Sequence, residues 1–210
     1  MEKIARSWTI LLLGGHSGAG KTSAARQLSK IFDVPWIEAD DIRLALQKIV
    51  SPLHSPALHF FLANADVWSR SPEELCAHLQ EVGSVVSLAL EGIINHHLLT
   101  QTPLIIEGDG ILPYLATQPV FGGLEAVFPA AQAGSSIRTI FLQEPQEKII
   151  AQDINQRWRG LSPHLATTWS RLHWLYGQWL STEAQHHGIP VVEAHPWETL
   201  IQRLLPYLTE

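Results

Sequence analysis

The chain of 210 residues contains a single cysteine, Cys76, and a single methionine. One thiol cannot close an intramolecular disulfide or build a cysteine-rich zinc centre, and its scarcity fits a reducing compartment. Eleven histidines are present, but none stands in a ligand spacing such as HExxH. Basic residues are also few, 14 Lys and Arg against 20 Asp and Glu, for a net charge of −6. General attraction to nucleic acid is therefore not expected, and any phosphate site must be built locally. Long apolar runs are missing near the start, where Ile10 to Leu13 is the most apolar stretch. That is far short of the ~20 residues that cross a bilayer, so no membrane span is expected. The opening MEKIARSW leads directly into a glycine-rich loop, which removal as a signal peptide would destroy. The expectation is a cytoplasmic protein without nucleic-acid or membrane partners.

What is present is an alternation of short apolar runs and stretches of helical periodicity, with no internal repeat, linker or low-complexity segment. Such alternation predicts an α/β fold, a parallel sheet covered by helices on both faces, in a single domain over 1–210. Five strands are expected, at 8–13, 35–38, 103–107, 137–142 and 189–193. Helices are expected over 21–32, from about Asp41, and through Leu58, Phe61, Leu62, Ala65 and Trp68. Ser71, Pro72 and Glu74 combine an N-cap, a first-turn proline and a capping-box glutamate, so a long helix should run from there to about Leu99. Pro145 opens a helix toward Trp158, Ser162 and Pro163 open one that stops at Gly188, and Pro196 begins the last. The last carries Trp197, Leu200, Ile201, Leu204, Leu205 and Leu208 on one face, a core-packing stripe. Trp169, Leu172, Tyr176, Trp179 and Leu180 form another helical face, whose tryptophans are candidates for core or pocket wall. An irregular insert is expected around 114–136, rich in Gly, Ala and Pro.

The segment WTILLLGGHSGAGKTSAARQLSKIF places a buried strand, a glycine-rich turn and an amphipathic helix in succession. Gly15, Gly18 and Gly20 permit tight backbone geometry, and with His16, Ser17 and Ala19 between them they aim successive N–H groups at phosphate oxygens where the helix begins. Lys21 reaches the terminal phosphates, Thr22 ligates magnesium and Ser23 follows in the first helical turn. This is a P-loop NTPase pattern, and it implies ATP and Mg²⁺ as cofactors.

Carboxylates close the second and third strands. PWIEADDIRLAL puts Asp40 and Asp41 where strand becomes helix, at the carboxyl edge where open parallel sheets bind ligands. Asp41 reads as a helix-start residue; Asp40 faces the γ-phosphate as catalytic base, acceptor contact or metal ligand through water. Arg43 either holds an anionic acceptor in a bidentate contact or rides a solvated helix face. PLIIEGDGILP ends its strand on Glu107, placed to order magnesium or its waters and to border the acceptor, with Asp109 as an acceptor contact or a turn former. Arg157 and Arg159 flank Trp158 between two helices, where a small helical lid around 155–165 would bring them onto the nucleotide and the transferring phosphate. Helix-end charge compensation is the alternative for both.

With GGHSGAGKT, ADDIR, LIIEGDGILP and the RWR segment in this order, the chain resembles the P-loop small-molecule kinases related to 2-phosphoglycerate kinase. ADDIR is also similar to an element of adenylylsulfate kinases, and chloramphenicol phosphotransferases and zeta-type toxins share a comparable loop and following aspartate. The resemblance implies a sheet ordered 2-3-1-4-5, ATP over the loop, an acceptor between the second-strand aspartate and the third-strand loop, and a closing arginine lid. Lys21, Thr22, Asp40, Arg43, Glu107 and Arg157 match that pattern. Asp109 stands where the 2-phosphoglycerate kinases have a histidine. The function expected is transfer of the γ-phosphate of ATP to a hydroxyl of a small molecule, an anionic one if Arg43 binds it. The alternative is a P-loop ATPase or nucleotide-dependent switch acting on a protein partner. Its GTPase version is disfavoured, because no NKxD stretch occurs and no DxxG element follows the loop.

Overall fold

The computed structural model describes residues 5–63, 66–122 and 130–209. At its centre β1 (Ile10–Gly15) is buried along its whole length. It is flanked by β3 (Leu104–Gly108) and β6 (Ile137–Gln143), with β2 (Trp36–Glu38) beyond β3 and β7 (Val191–Glu193) beyond β6, all parallel. A parallel sheet must be covered on both faces, because its crossovers are helices and both sets of side chains are apolar. Successive residues of β1 divide accordingly. Ile10 and Leu12 enter one core with Leu90, Ile94, Leu172 and Tyr176, from α4 (Pro72–Thr100) and α7 (Pro163–His186). Leu11 and Leu13 enter the other, with Leu28, Leu200 and Leu204 from α1 (Lys21–Phe32) and α8 (Leu200–Leu204). This is the expected α/β fold of P-loop type, with a five-stranded parallel sheet. The order β2-β3-β1-β6-β7 differs in numbering from 2-3-1-4-5 because two further strands intervene in the chain.

Those strands lie in the segment expected to be irregular. Its described part holds α5 (Pro113–Ala116) and an antiparallel ribbon of β4 (Val120–Phe121) and β5 (Ala131–Gln132), while 123–129 fall outside the described residues. Two-residue strands have no periodicity to read. What anchors the ribbon is Phe121, fully buried, whose carbonyl accepts from Asn95 Nδ2 of α4 at 2.8 Å.

Three helix boundaries depart from expectation. α2 (Ala39–Ile49) begins before Asp41, so Asp40 and Asp41 both sit in its first turn, and α6 (Glu147–Arg157) begins two residues after Pro145. The C-terminal segment is a short α8 between 3₁₀ turns at Trp197–Thr199 and Leu205–Tyr207, Pro206 interrupting the α-helical hydrogen-bond ladder. Its apolar stripe nevertheless packs as expected, with Leu200, Leu204 and Leu208 buried. α3 (Pro56–Ala63) leaves Leu62 exposed, and Ala65 lies outside the described residues. At the start of α4, Ser71 accepts from the Glu74 N–H at 3.2 Å, but the Glu74 carboxylate turns to Arg70 at 2.6 Å and the capping box is only half made.

α4 is long and apolar enough, by length and composition, to cross a membrane. Its apolar side is committed to the core instead, through Leu75, Val82, Val86, Leu90, Ile94 and Leu98. The two faces of this helix should respond differently to truncation. Leu90→Ala, at 0% exposure, should lower unfolding free energy by about 2–5 kcal/mol. Leu88→Ala, at 66% exposure, should change it by less than about 0.5 kcal/mol. Urea denaturation of the two variants checks the assignment.

Candidate functional site

The glycine-rich loop leaves the carboxyl end of β1 and turns into α1. Gly15, Gly18 and Gly20 have φ of 138°, 87° and 72°, the left-handed region that side-chain-bearing residues avoid. Gly20 is the N-cap of α1 and contributes no side-chain cap, so the first-turn N–H groups remain directed at a ligand. A β-carbon on Gly20 would also run into the indole of Trp197. Lys21 is buried, and its Nζ donates back to the His16 carbonyl at 2.9 Å. Ser17, Gly18, Lys21, Thr22 and Ser23 line a cleft of about 1180 Å³ that runs over the carboxyl edge of the sheet.

His16 holds the loop from inside. Its ring is fully buried; Nδ1–H donates to the Ser17 carbonyl at 2.7 Å and Nε2 accepts from the Glu144 N–H at 3.0 Å, which defines a neutral tautomer. Glu144 follows β6, and its carboxylate accepts from the Gln146 N–H and pairs with His195 Nδ1 at 2.5 Å. The ring fits against α7 only because residue 177 is glycine, where a β-carbon would overlap it. His16 therefore serves the loop as a buried prop, and only its backbone is available to a ligand.

At the foot of the cleft Thr22 Oγ1 donates to Glu107 Oε1 at 2.6 Å. Glu107 is 2% exposed, and burial raises its pKa against the opposing pull of Lys21 and the Thr22 hydroxyl. Strand register brings Glu38 beside Glu107 on the same edge. Asp40, from the first turn of α2, pairs with Arg43 at 2.9 Å. Burial and the nearby Asp109 raise its pKa, and Arg43 and Lys21 counter them. Asp40, Arg43 and Asp109 also border a side cavity of about 20 Å³, room for about one water. Asp109 is fixed through its backbone, whose carbonyl accepts from the buried Tyr176 hydroxyl at 2.7 Å.

Most of the sequence-identified residues thus converge, but Gly15, His16 and Ala19 of the loop do not line the cleft, and Arg159 is exposed in the turn after α6 and does not line it either. Asp41, read as a helix-start residue, points to solvent. Arg157, in the last turn of α6, does line it while stacking its guanidinium over Trp158, with 5.7 Å to the ring centroid. Trp169, read as core or pocket wall, lines the cleft, and cleft residues that sequence reasoning missed include Glu38 and His173. Glu38 was recoverable, because it ends β2 as Glu107 ends β3. Trp169 and His173 lie one turn apart on α7, in a stripe whose spacing reads as core.

The arrangement suits a nucleotide phosphate chain and a divalent cation. Burial raises the pKa of both Asp40 and Glu107 despite the opposing pull of Lys21, and a bound cation would favour their charged forms. Thr22 and Glu107 are the pair that could hold magnesium, which keeps several waters and phosphate oxygens as ligands and does not need an all-protein cage. Among the described residues no group of three or more His, Cys, Asp or Glu forms such a cage.

No family model and no curated protein matches the chain. In shape it is similar to the shikimate kinase of Acinetobacter baumannii, solved in complex with shikimate, at 12% identity, 96% coverage of this chain, 94% of that one and a TM-score of 0.51. A gluconokinase from Sinorhizobium meliloti 1021 aligns at 13% identity over 96% and 92% of the two chains, with a TM-score of 0.49. At these identities the likeness is one of fold.

Burial holds the His16 pKa at about 3, below its usual 6.5. The unfolded chain binds a proton at this residue below pH 6.5 and the folded chain does not, so the contribution to stability is whole above pH 6.5 and lost progressively toward pH 3. Stability should fall by about 1.4 kcal/mol per pH unit for this one group below about pH 6. Urea unfolding from pH 7 to 4.5 should give a shallower slope by that amount in His16→Asn than in wild type.

Proposed function

We propose that the protein is an ATP- and Mg²⁺-dependent phosphotransferase, a single-domain cytoplasmic P-loop kinase that moves the γ-phosphate of ATP to a hydroxyl of a small molecule. The observation that carries the reading is the Thr22–Glu107 hydrogen bond of 2.6 Å, beside Lys21, in the same cleft that Asp40, Arg43 and Asp109 line. A phosphate-binding loop alone is common to motors, switches and kinases. A cleft that adds a half-buried aspartate and an arginine one helical turn later has an acceptor side as well. The motif order further supports a relation to the 2-phosphoglycerate kinases among the P-loop kinases.

Bound ATP and Mg²⁺ supply the transferable phosphoryl group and the cationic charge that neutralises its oxygens. Loop N–H groups from Gly15 to Ser23 hold the phosphate chain, and Lys21 exchanges the His16 carbonyl for a phosphate oxygen. Thr22 and Glu107 are the metal-holding pair, with Asp40 contributing through water. Asp40 aligns the acceptor hydroxyl and takes its proton as the new O–P bond forms and the bond to the leaving ADP breaks. Burial and Asp109 make that carboxylate more basic than usual, as a proton acceptor requires. Arg157, with Arg159 in the turn that follows α6, closes as a lid onto the transferring group and excludes water.

A transfer screen with γ-labelled ATP over sugars, sugar acids, phosphoglycerates, nucleosides and aminoglycoside or amphenicol antibiotics should yield a labelled small-molecule product. Lys21→Ala should reduce the transfer rate at least about 100-fold. Asp40→Asn should lower kcat about 10²- to 10⁴-fold with nucleotide affinity unchanged. Wild-type rates in Lys21→Ala would refute the assignment of the loop. Steady ATP hydrolysis indifferent to every small molecule would mark the ATPase or switch instead.

A further inference from the structure

Three buried side-chain nitrogens have no hydrogen-bond partner among the described residues: Arg43 Nε, Trp169 Nε1 and His173 Nδ1. All three residues line the one cleft. A folded protein rarely leaves buried donors unmet, and when several converge on one opening they are matched to groups that a ligand brings. Arg43 Nε–H and Trp169 Nε1–H only donate. His173 is uncharged, its pKa lowered to about 4 by burial and by Lys21. Arg43 and Trp169 therefore call for acceptor oxygens and His173 Nδ1, donor or acceptor by tautomer, for a hydroxyl, which serves either way; no full positive charge among them is left unpaired, because the Arg43 guanidinium is already bonded to Asp40.

The surrounding charge points the same way. Asp40 and Asp109 border the same small side cavity as Arg43, two carboxylates to one guanidinium, so an incoming carboxylate or phosphate at that place would add to a local excess of negative charge. Carboxylates in that position instead accept hydrogen bonds from hydroxyl groups. The same cleft carries an aromatic wall: Phe61, Trp68, Trp169 and Trp158 follow one another with ring centroids 5.5, 5.1 and 5.9 Å apart, and all four line the cleft. Such faces suit the apolar side of a ring.

Resting on the phosphotransferase reading, we infer that the acceptor is a hydroxyl-rich ring compound without negative charge, and that Arg43, Trp169 and His173 select it. Its oxygens receive the Arg43 and Trp169 N–H groups, its hydroxyls donate to Asp40 and Asp109, and its ring face lies on the tryptophan wall. This reverses the role that Arg43 has when read alone in sequence, as the clamp of an anionic acceptor.

The test uses the full-length protein, γ-labelled ATP and a small-molecule extract split on an anion exchanger at pH 7 into retained and unretained pools, with glucose, gluconate and glucose 6-phosphate as a matched defined set. Label should enter products of the unretained pool at least about tenfold faster than those of the retained pool, and no member of the defined set that carries negative charge should exceed glucose. Trp169→Phe keeps the ring and removes the N–H, and should raise the acceptor concentration for half-maximal rate about tenfold at unchanged ATP affinity. His173→Phe should do likewise, and thermal unfolding of both variants confirms that they fold. Preferential labelling of the retained pool overturns the inference and leaves the kinase intact. Labelling of neither pool overturns the phosphotransferase reading itself. Unchanged acceptor dependence in both variants removes Trp169 and His173 from the acceptor site.

Discussion

The architecture hangs from β1. Its side chains alternate between two cores, Ile10 and Leu12 to one side and Leu11 and Leu13 to the other, and both neighbouring strands register on it. A strand buried on both faces cannot slip by one residue without exchanging every contact, so the point at which it ends is fixed. The phosphate loop begins there. Everything that meets the loop, Glu107 from β3 and Glu144 beyond β6 included, arrives at the same edge because parallel strands finish on the same side.

Around that edge the chemistry is sorted by depth. Lys21, Glu107 and Asp40 are wholly or partly removed from water, and their charges act on one another more strongly than they would outside. The surface charges farther out, such as Arg70 with Glu74, are ordinary solvated pairs of little consequence for stability. Phe61 of α3, Trp68, Trp158 just after α6 and Trp169 of α7 line the same cleft, so it combines charged side chains with an apolar wall.

Much of this was legible in residue order. All five main strands were legible to within about three residues, because short apolar runs alternating with stretches of helical periodicity have few other readings. The loop and Glu107 were legible because their chemistry demands both residue type and place. Other features were hidden for definite reasons. The β4–β5 ribbon is too short for any period to show, and the 3₁₀ turns around α8 share the apolar stripe of a regular helix. Glu74 supplied the letters of a capping box, but Arg70 offered its carboxylate a closer charge. Trp169 and His173 fit a core stripe by spacing, and only the course of α7 past the open cleft makes them ligand-facing. Arg43 shows the limit most plainly, since its pairing with Asp40 depends on α2 starting two residues earlier than periodicity indicated.

The prop under the phosphate loop carries a further implication. The loop is encoded within the first 23 residues, yet His16 is seated by Glu144 and Gly177, and Gly20 is covered by Trp197. During synthesis the loop leaves the ribosome long before any of these partners exists. The rigid form of the loop is therefore completed only after Glu144, Gly177 and Trp197 have all been made, although the loop itself is translated well before them.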